Sequence, residues 1–309
     1  MNQPPKQPHP APISETNQGY SYRLNLGPDA RGESTLSHLA RVFNHSSPAQ
    51  WQHRLNAGEV LLDNIPATGK EILKPGNILI WNRPGWVEAE TPQTFTLLHS
   101  DEHLLAVDKP SGLPTLPGGG FYQNTLLNLV RKQFPQACPL HRLGRATSGV
   151  VLFALDSATA SFMLKSWPLI QKQYLALSSG VPTKNTYDIQ TPIGECDHPR
   201  LGKVFAANPQ GKSARSVARV VQKRSNTTVF EVDLHTGRPH QIRIHLASIG
   251  HPLEGDPLYA PGGLPTTDHP GRPGDPGYWL HAQRITFTHP ASNKSMELTA
   301  PPPDILRLA

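Results

Sequence analysis

Three stretches of this 309-residue chain concentrate arginine, histidine, tyrosine and glycine more densely than ordinary packing needs. The first is His141-Arg142-Leu143-Gly144-Arg145-Ala146-Thr147-Ser148-Gly149, which runs directly into an apolar segment. The second is Lys172-Gln173-Tyr174-Leu175-Ala176-Leu177. The third is Thr236-Gly237-Arg238-Pro239-His240-Gln241-Ile242-Arg243-Ile244-His245-Leu246, continued by Gly250-His251-Pro252-Leu253 and Gly255-Asp256. Between Arg200 and Arg224 lie seven Lys or Arg residues and no acid: Arg200, Lys203, Lys212, Arg215, Arg219, Lys223 and Arg224. With a formal net charge of +6 and a pI near 9.4, this favours a polyanionic partner and a track for phosphates.

What is missing narrows the chemistry. The histidines are scattered without an HExxH pattern, so no metal site is expected. Cys138 and Cys196 lie far apart and form neither a disulfide framework nor a CxxC knuckle, which points to a reducing, intracellular compartment. There is no GxGxxG or GxxxxGK[ST] phosphate loop, and no recognisable pair of carboxylates for glycoside hydrolysis. No apolar run approaches the ~20 residues that cross a bilayer, so no membrane partner is expected. The Pro-rich, polar residues 1–18 lack the apolar core of a secretory signal and read as a mobile tail; a cytoplasmic location follows.

The elements that must position these stretches are short. Leu36, Leu39, Ala40 and Phe43 recur at helical spacing. Ser47 and Pro48 supply a cap and first turn for a second helix bearing Trp51 and Leu55 and ended by Gly58. Strands are expected over residues 60–62 and 78–81, with a turn at 74–77. Residues 19–90 thus read as a small α+β module, with residues 83–92 as linker. From residue 94 onward the chain changes to short strands and Pro/Gly turns: strands over 104–107, 150–155, 173–177, 228–234 and 284–288, and helices over 125–132 and after Pro239. That order argues for an α+β fold with a mixed, largely antiparallel sheet over residues 94–309.

The first stretch resembles the HRLDxxTSG signature of the RluA-type RNA pseudouridine synthases. The third is similar to their TGRxHQIRxHL segment with its GHPLxGD continuation, and Lys172-Gln173-Tyr174-Leu175-Ala176-Leu177 to their KxYLAL strand. LAVDKPSGL at 105–113 resembles the family's NKPxGL opening, and His281-Ala282 with Phe287, His289 and Pro290 its closing motif. These matches keep the family's order from about residue 100 to 290. The module before them resembles the alpha-L RNA-binding domain.

The resemblance implies a pseudouridine synthase catalytic domain that isomerises uridine to pseudouridine in structured RNA, ribosomal or transfer, as a monomer and without a cofactor. The target base must be extruded. Arg142 would slide into the vacated stack, Tyr174 would pack on the uracil, and Arg243 would pair with the catalytic aspartate. His141, Arg145 and Thr147 would contact the RNA backbone or shape the loop, and Lys212, Arg215, Arg238, His240 and Gln241 are further expected RNA contacts. His240 and His245 could equally bond within the fold.

One position departs from the signature. Gly144 stands where the family has its catalytic aspartate, as in a cyanobacterial and plant branch that also reads HRLG. Asp156, at the far end of the next strand, should lie some ~20 Å away, and Asp256 reads as structural. Loss of such a group typically costs ~10⁴–10⁶ in rate. The expectation is weakened activity, an Arg243 left unpaired, and a rival role as a non-catalytic RNA folding or assembly factor.

Overall fold

The computed structural model describes residues 16–268 and 270–308. The chain divides into two compact units, Met1–Glu88 and Ala89–Ala309. In the first, β1 (Tyr20–Asn25) precedes α1 (Thr35–Val42) and α2 (Pro48–Asn56). Strands β2 (Val60–Leu62), β3 (Ile65–Pro66) and β4 (Ile78–Arg83) follow. Ser47 and Gln50 close a reciprocal capping box around the start of α2. Trp51 and Leu55 then face inward against Leu39, Val60, Leu73 and Leu79. The sheet order is β1-β4-β2-β3.

One strand here was not expected, and one boundary is corrected. Strand β1 carries no burial alternation, because all of its residues are exposed; only antiparallel pairing with β4, Tyr20 opposite Arg83, makes it a strand. Of the expected tail, residues 1–15 lie outside the described residues. Residues 16–18 belong to the fold: Thr16 bridges to Val87, and the buried Asn17 side chain donates to Glu88. The linker expected at 83–92 shortens accordingly, since Gly85 packs so closely on the Asn17 carbonyl that a Cβ there would lie 2.1 Å from it.

The second unit begins with β5 (Thr96–Ser100), β6 (Leu104–Lys109), α3 (Leu126–Arg131), β7 (Cys138–Pro139) and β8 (Ser148–Ala154). It continues through α4 (Ser157–Ser166), β9 (Gln171–Ser179), β10 (Thr186–Ile189), β11 (Ile193–His198) and β12 (Gly202–Ala207). Then come β13 (Ser216–Lys223), β14 (Thr227–Leu234), α5 (Gln241–Ser248), β15 (Leu280–Thr288) and β16 (Ser295–Thr299). The main sheet runs β10-β13-β14-β9-β15-β8-β6-β5, with β16 on β15 and β7 on β8.

Every pairing in this sheet is antiparallel except β15 with β8. The sheet is therefore mixed and largely antiparallel, as expected. Strand 284–288 is not the last: it begins at Leu280, and β16 pairs back onto it, Arg284 opposite Thr299.

The apolar run of β8 is buried on both faces. Along β6, Leu105 and Val107 face one core with Tyr174, Ile242 and Leu246. Leu104 and Ala106 face the other, with Met163, Ile285 and Phe287. Gly149 is required where β8 meets β15: its φ is +108°, and a Cβ would sit 2.2 Å from the Ala282 carbonyl oxygen. That contact fixes the loop before Gly149 against the strand that follows Tyr278. No helix among the described residues is long and apolar enough to cross a membrane.

Candidate active site

The 141–149 loop has little regular structure, yet it is held firmly from below. The buried Lys109 ammonium at the end of β6 donates to the carbonyls of Leu113 (2.6 Å), Pro110 (2.8 Å) and Arg145 (3.3 Å). Ser111 Oγ donates to the Ala146 carbonyl, and the Gly112 amide to that of Arg145. Thr115 Oγ1 donates to the Leu143 carbonyl and accepts from its amide. Burial lowers the Lys109 pKa to about 7, but three carbonyls around one nitrogen match the three donors of the charged form. The sequence marked the turn after Lys109 and not this clamp.

Within the loop, the side chains divide. His141 turns into the fold: its Nε2 accepts from the Leu152 amide at 3.0 Å and its ring packs on Trp167. Burial, reinforced by Lys172, pulls its pKa down to about 4, so it is neutral at pH 7. That arrangement fits loop shaping, one of the two roles expected of His141. Arg142 is exposed, and no hydrogen bond or ion pair holds it among the described residues. Its charge helps to depress His240, which places it toward the start of α5.

Arg145 donates to the Gly274 carbonyl and lies 5.2 Å over the Phe121 ring, so it ties the loop to residues 272–275. The Thr147 amide donates to the Gly144 carbonyl and closes a tight turn.

Helix α5 supplies the opposite wall. Its N-cap, His240, adopts a left-handed φ of 55°. His240 Nδ1 bonds to Tyr259 Oη at 2.7 Å, and that hydroxyl donates to the Phe205 carbonyl, so the imidazole is the donor to Tyr259. Desolvation, then Arg243, lowers the His240 pKa to about 4. Gln241 is saturated inside the fold: its amide donates to the Arg215 carbonyl and Ser216 Oγ, and its oxygen accepts from Thr236 Oγ1 and the Arg238 amide. Gln241 is therefore a positioning group and not an RNA contact.

Arg243 does not stand unpaired, contrary to expectation. Its Nε and Nη2 donate to the two Asp256 oxygens, each at 2.7 Å, with both side chains almost wholly buried. Asp256 also accepts from the Leu258 and Tyr259 amides. With four N–H donors on it, this carboxylate is a structural anchor, and Arg243 is held for another purpose. Its guanidinium lies 4.4 Å from the Tyr278 ring centroid and 4.9 Å from that of Tyr259.

Tyr174 lies in β9 opposite Ala282 and packs in the same apolar cluster as Leu143, Ala146, Ile242 and Tyr278. Burial pushes its pKa up to about 12, so at neutral pH it can donate a proton and cannot act as a base. Asp156 is accounted for elsewhere: it caps α4, accepting from the Thr159 amide and hydroxyl. Asp156 and Asp256 are thus both committed to contacts within the fold.

The basic stretch looks different once folded. Cross-strand acids neutralise much of it: Arg215 makes a two-pronged bond to Asp188, Arg219 pairs with Asp233 and Glu231, and Lys203 with Glu195. Arg224 donates to carbonyls near the C-terminus. Lys212 remains exposed without such a partner. Arg238 donates to the Ser213 carbonyl and so ties the Lys212 segment to the start of α5. Among the described residues no group of three or more His, Cys, Asp or Glu could hold a metal ion.

Gly144, Thr147, Tyr278, Arg243, His240 and Arg142 thus meet between one loop and one helix that are about a hundred residues apart in sequence. The chain matches the RNA pseudouridylate synthase family over residues 103–248. It is 38% identical over 276 residues to an uncharacterized RNA pseudouridine synthase of Synechocystis sp., covering 88% of this chain and 95% of that one. It is 34% identical over 211 residues to the dual-specificity RNA pseudouridine synthase RluA of Escherichia coli, covering 67% and 93%. Human RNA pseudouridylate synthase domain containing 1 shares the fold, with a TM-score of 0.54 at 23% identity over 69% of this chain and 86% of that one.

Proposed function

We propose, from the premise that this chain belongs to the RluA-type family of RNA pseudouridine synthases, that it isomerises uridine to pseudouridine in RNA in the groove between the 141–149 loop and α5. The observation that carries this reading is the exposed, unpaired Arg142 on a loop whose Leu143 and Ala146 pack in one cluster with Tyr174, Ile242 of α5 and Tyr278. A flat, mobile cation suits the place of an extruded base, and an apolar floor with phenol hydroxyls suits a pyrimidine. Lys212 and Arg238 would then guide phosphates toward the groove.

The chain is assigned to the HRLG branch of the family, a reading supported by the match along its length to the cyanobacterial relative. The unit before residue 89 is read as an alpha-L RNA-binding module; Arg54 and Arg83 stacked on Trp81 would suit nucleic acid. The protein acts as a cytoplasmic monomer on ribosomal or transfer RNA in this reading.

Gly144 favours one other reading, an RNA-binding protein without turnover. Release of tritium from RNA carrying uridine labelled at carbon 5 separates the two. Release of one tritium per pseudouridine formed supports the synthase; tight RNA binding with no release supports the second reading.

A further inference from the structure

Tyr278 sits where the missing carboxylate would have to reach. A Cβ built on Gly144 lies 3.0 Å from Tyr278 Oη and 3.5 Å from Thr147 Oγ1. The backbone puts the phenol there for a clear reason. Gly255 and Gly277 touch so closely that a Cβ on Gly255 would meet the Gly277 carbonyl oxygen at 2.2 Å. This contact seals the base of the long Pro/Gly loop and sets Tyr278 beside the Arg243–Asp256 pair.

Tyr278 is only 5% exposed, yet its hydroxyl finds no hydrogen-bond partner among the described residues. It is also absent from the sealed, partnerless polar atoms among the described residues, which are Ser178 Oγ and His245 Nδ1. A largely buried phenol without a partner among the described residues, and not sealed from its surroundings, is a place that a ligand can complete. The Arg243 guanidinium lies against the ring; burial works to lower the arginine pKa, and the Asp256 hydrogen bonds, with a smaller part from Tyr278, raise it.

We propose that Tyr278 is a catalytic residue of this chain, its Oη taking the place at the ribose C1′ that a carboxylate on residue 144 would otherwise occupy. This rests on the synthase reading and goes beyond it. Tyrosine serves as the glycosidic nucleophile in some glycoside hydrolases, so the chemistry has precedent. Oη bonds to C1′ as the N1–C1′ bond breaks, and the phenol proton passes to N1 of the departing uracil. After the base turns, C5 bonds to C1′ and the Oη–C1′ bond breaks. The hydrogen on C5 then leaves as a proton to Oη, which restores the phenol. Atoms and electrons balance without a co-reactant, and Arg243 stabilises the phenolate when it is released.

The decisive variant is Tyr278→Phe, which keeps the ring on Arg243 and removes only the oxygen. The substrate is RNA from cells lacking the protein, labelled with 5-tritiated uridine, and RNA affinity is measured beside tritium release. The expected result is a fall in release on the order of 10³-fold or more, with affinity and melting temperature nearly unchanged. Gly144→Asp added to Tyr278→Phe gains room for its carboxylate and should recover part of the rate, whereas Gly144→Asp alone crowds Oη and should not raise it. Release by Tyr278→Phe within threefold of the parent overturns the role of Tyr278 and leaves the synthase reading standing. No release by the parent protein removes both.

Discussion

Asp256→Asn should strongly destabilise the catalytic unit, although the change adds and removes almost no volume. In the parent, the carboxylate accepts two Arg243 N–H bonds at 2.7 Å and the Leu258 and Tyr259 amides at 2.9 and 3.1 Å. The side chains are 2% and 1% exposed, so water cannot replace what is lost. The asparagine oxygen can still serve the two amides, but its NH₂ group then opposes the guanidinium. A buried cation without its counter-charge costs about 3–5 kcal/mol, against a typical total stability of about 5–15 kcal/mol. Urea unfolding followed by far-ultraviolet circular dichroism reads this loss directly. Replacing both partners by apolar residues, Arg243→Met with Asp256→Leu, should recover only part of it: no charge is then stranded, but the Leu258 and Tyr259 amides lose their acceptor. A loss below about 1 kcal/mol for Asp256→Asn would contradict a buried, mutually dependent pair.

Acid should weaken the fold through its buried histidines. His141 and His240 are held near pKa 4, below the unfolded value near 6.5. The unfolded chain therefore binds more protons between pH 6.5 and 4, and stability falls as pH drops through that window. Glu71 and Asp156, held near 2, lose their contribution only below about pH 4.5. Urea midpoints measured from pH 7 to 5 should decline, and His141→Gln should flatten the decline; a flat parent profile would refute the burial argument. For RNA, Lys212→Ala should weaken binding and reduce the salt slope by about one. Arg215→Ala should do less, because Asp188 already neutralises it; equal effects in a filter-binding titration would restore the continuous basic track.

The elements read correctly from sequence were those whose causes are local. Ser47, Pro48 and Gln50 specify the start of α2 by themselves, and the uniformly apolar β8 announces burial on both faces. What failed was non-local. Strand β1 exists only through a partner sixty residues away. The run of basic residues from Arg200 looked uncompensated because Asp188, Glu195, Glu231 and Asp233 lie outside it or across a strand. Family resemblance is what brought Arg142, Tyr174 and Arg243 into one account.

That same resemblance misled at Arg243, whose expected partner sat on the 141–149 loop, whereas Asp256 holds it. Tyr278 escaped notice because it closes a Pro/Gly-rich loop without periodicity. Only the folded chain places its oxygen over Gly144.

The most direct test of the account is a transcriptome-wide pseudouridine map, made by carbodiimide derivatisation, from cells with and without the protein. At least one uridine should lose its modification in the deletion strain and regain it with the parent chain. A map unchanged by the deletion would contradict the claim that this groove makes pseudouridine.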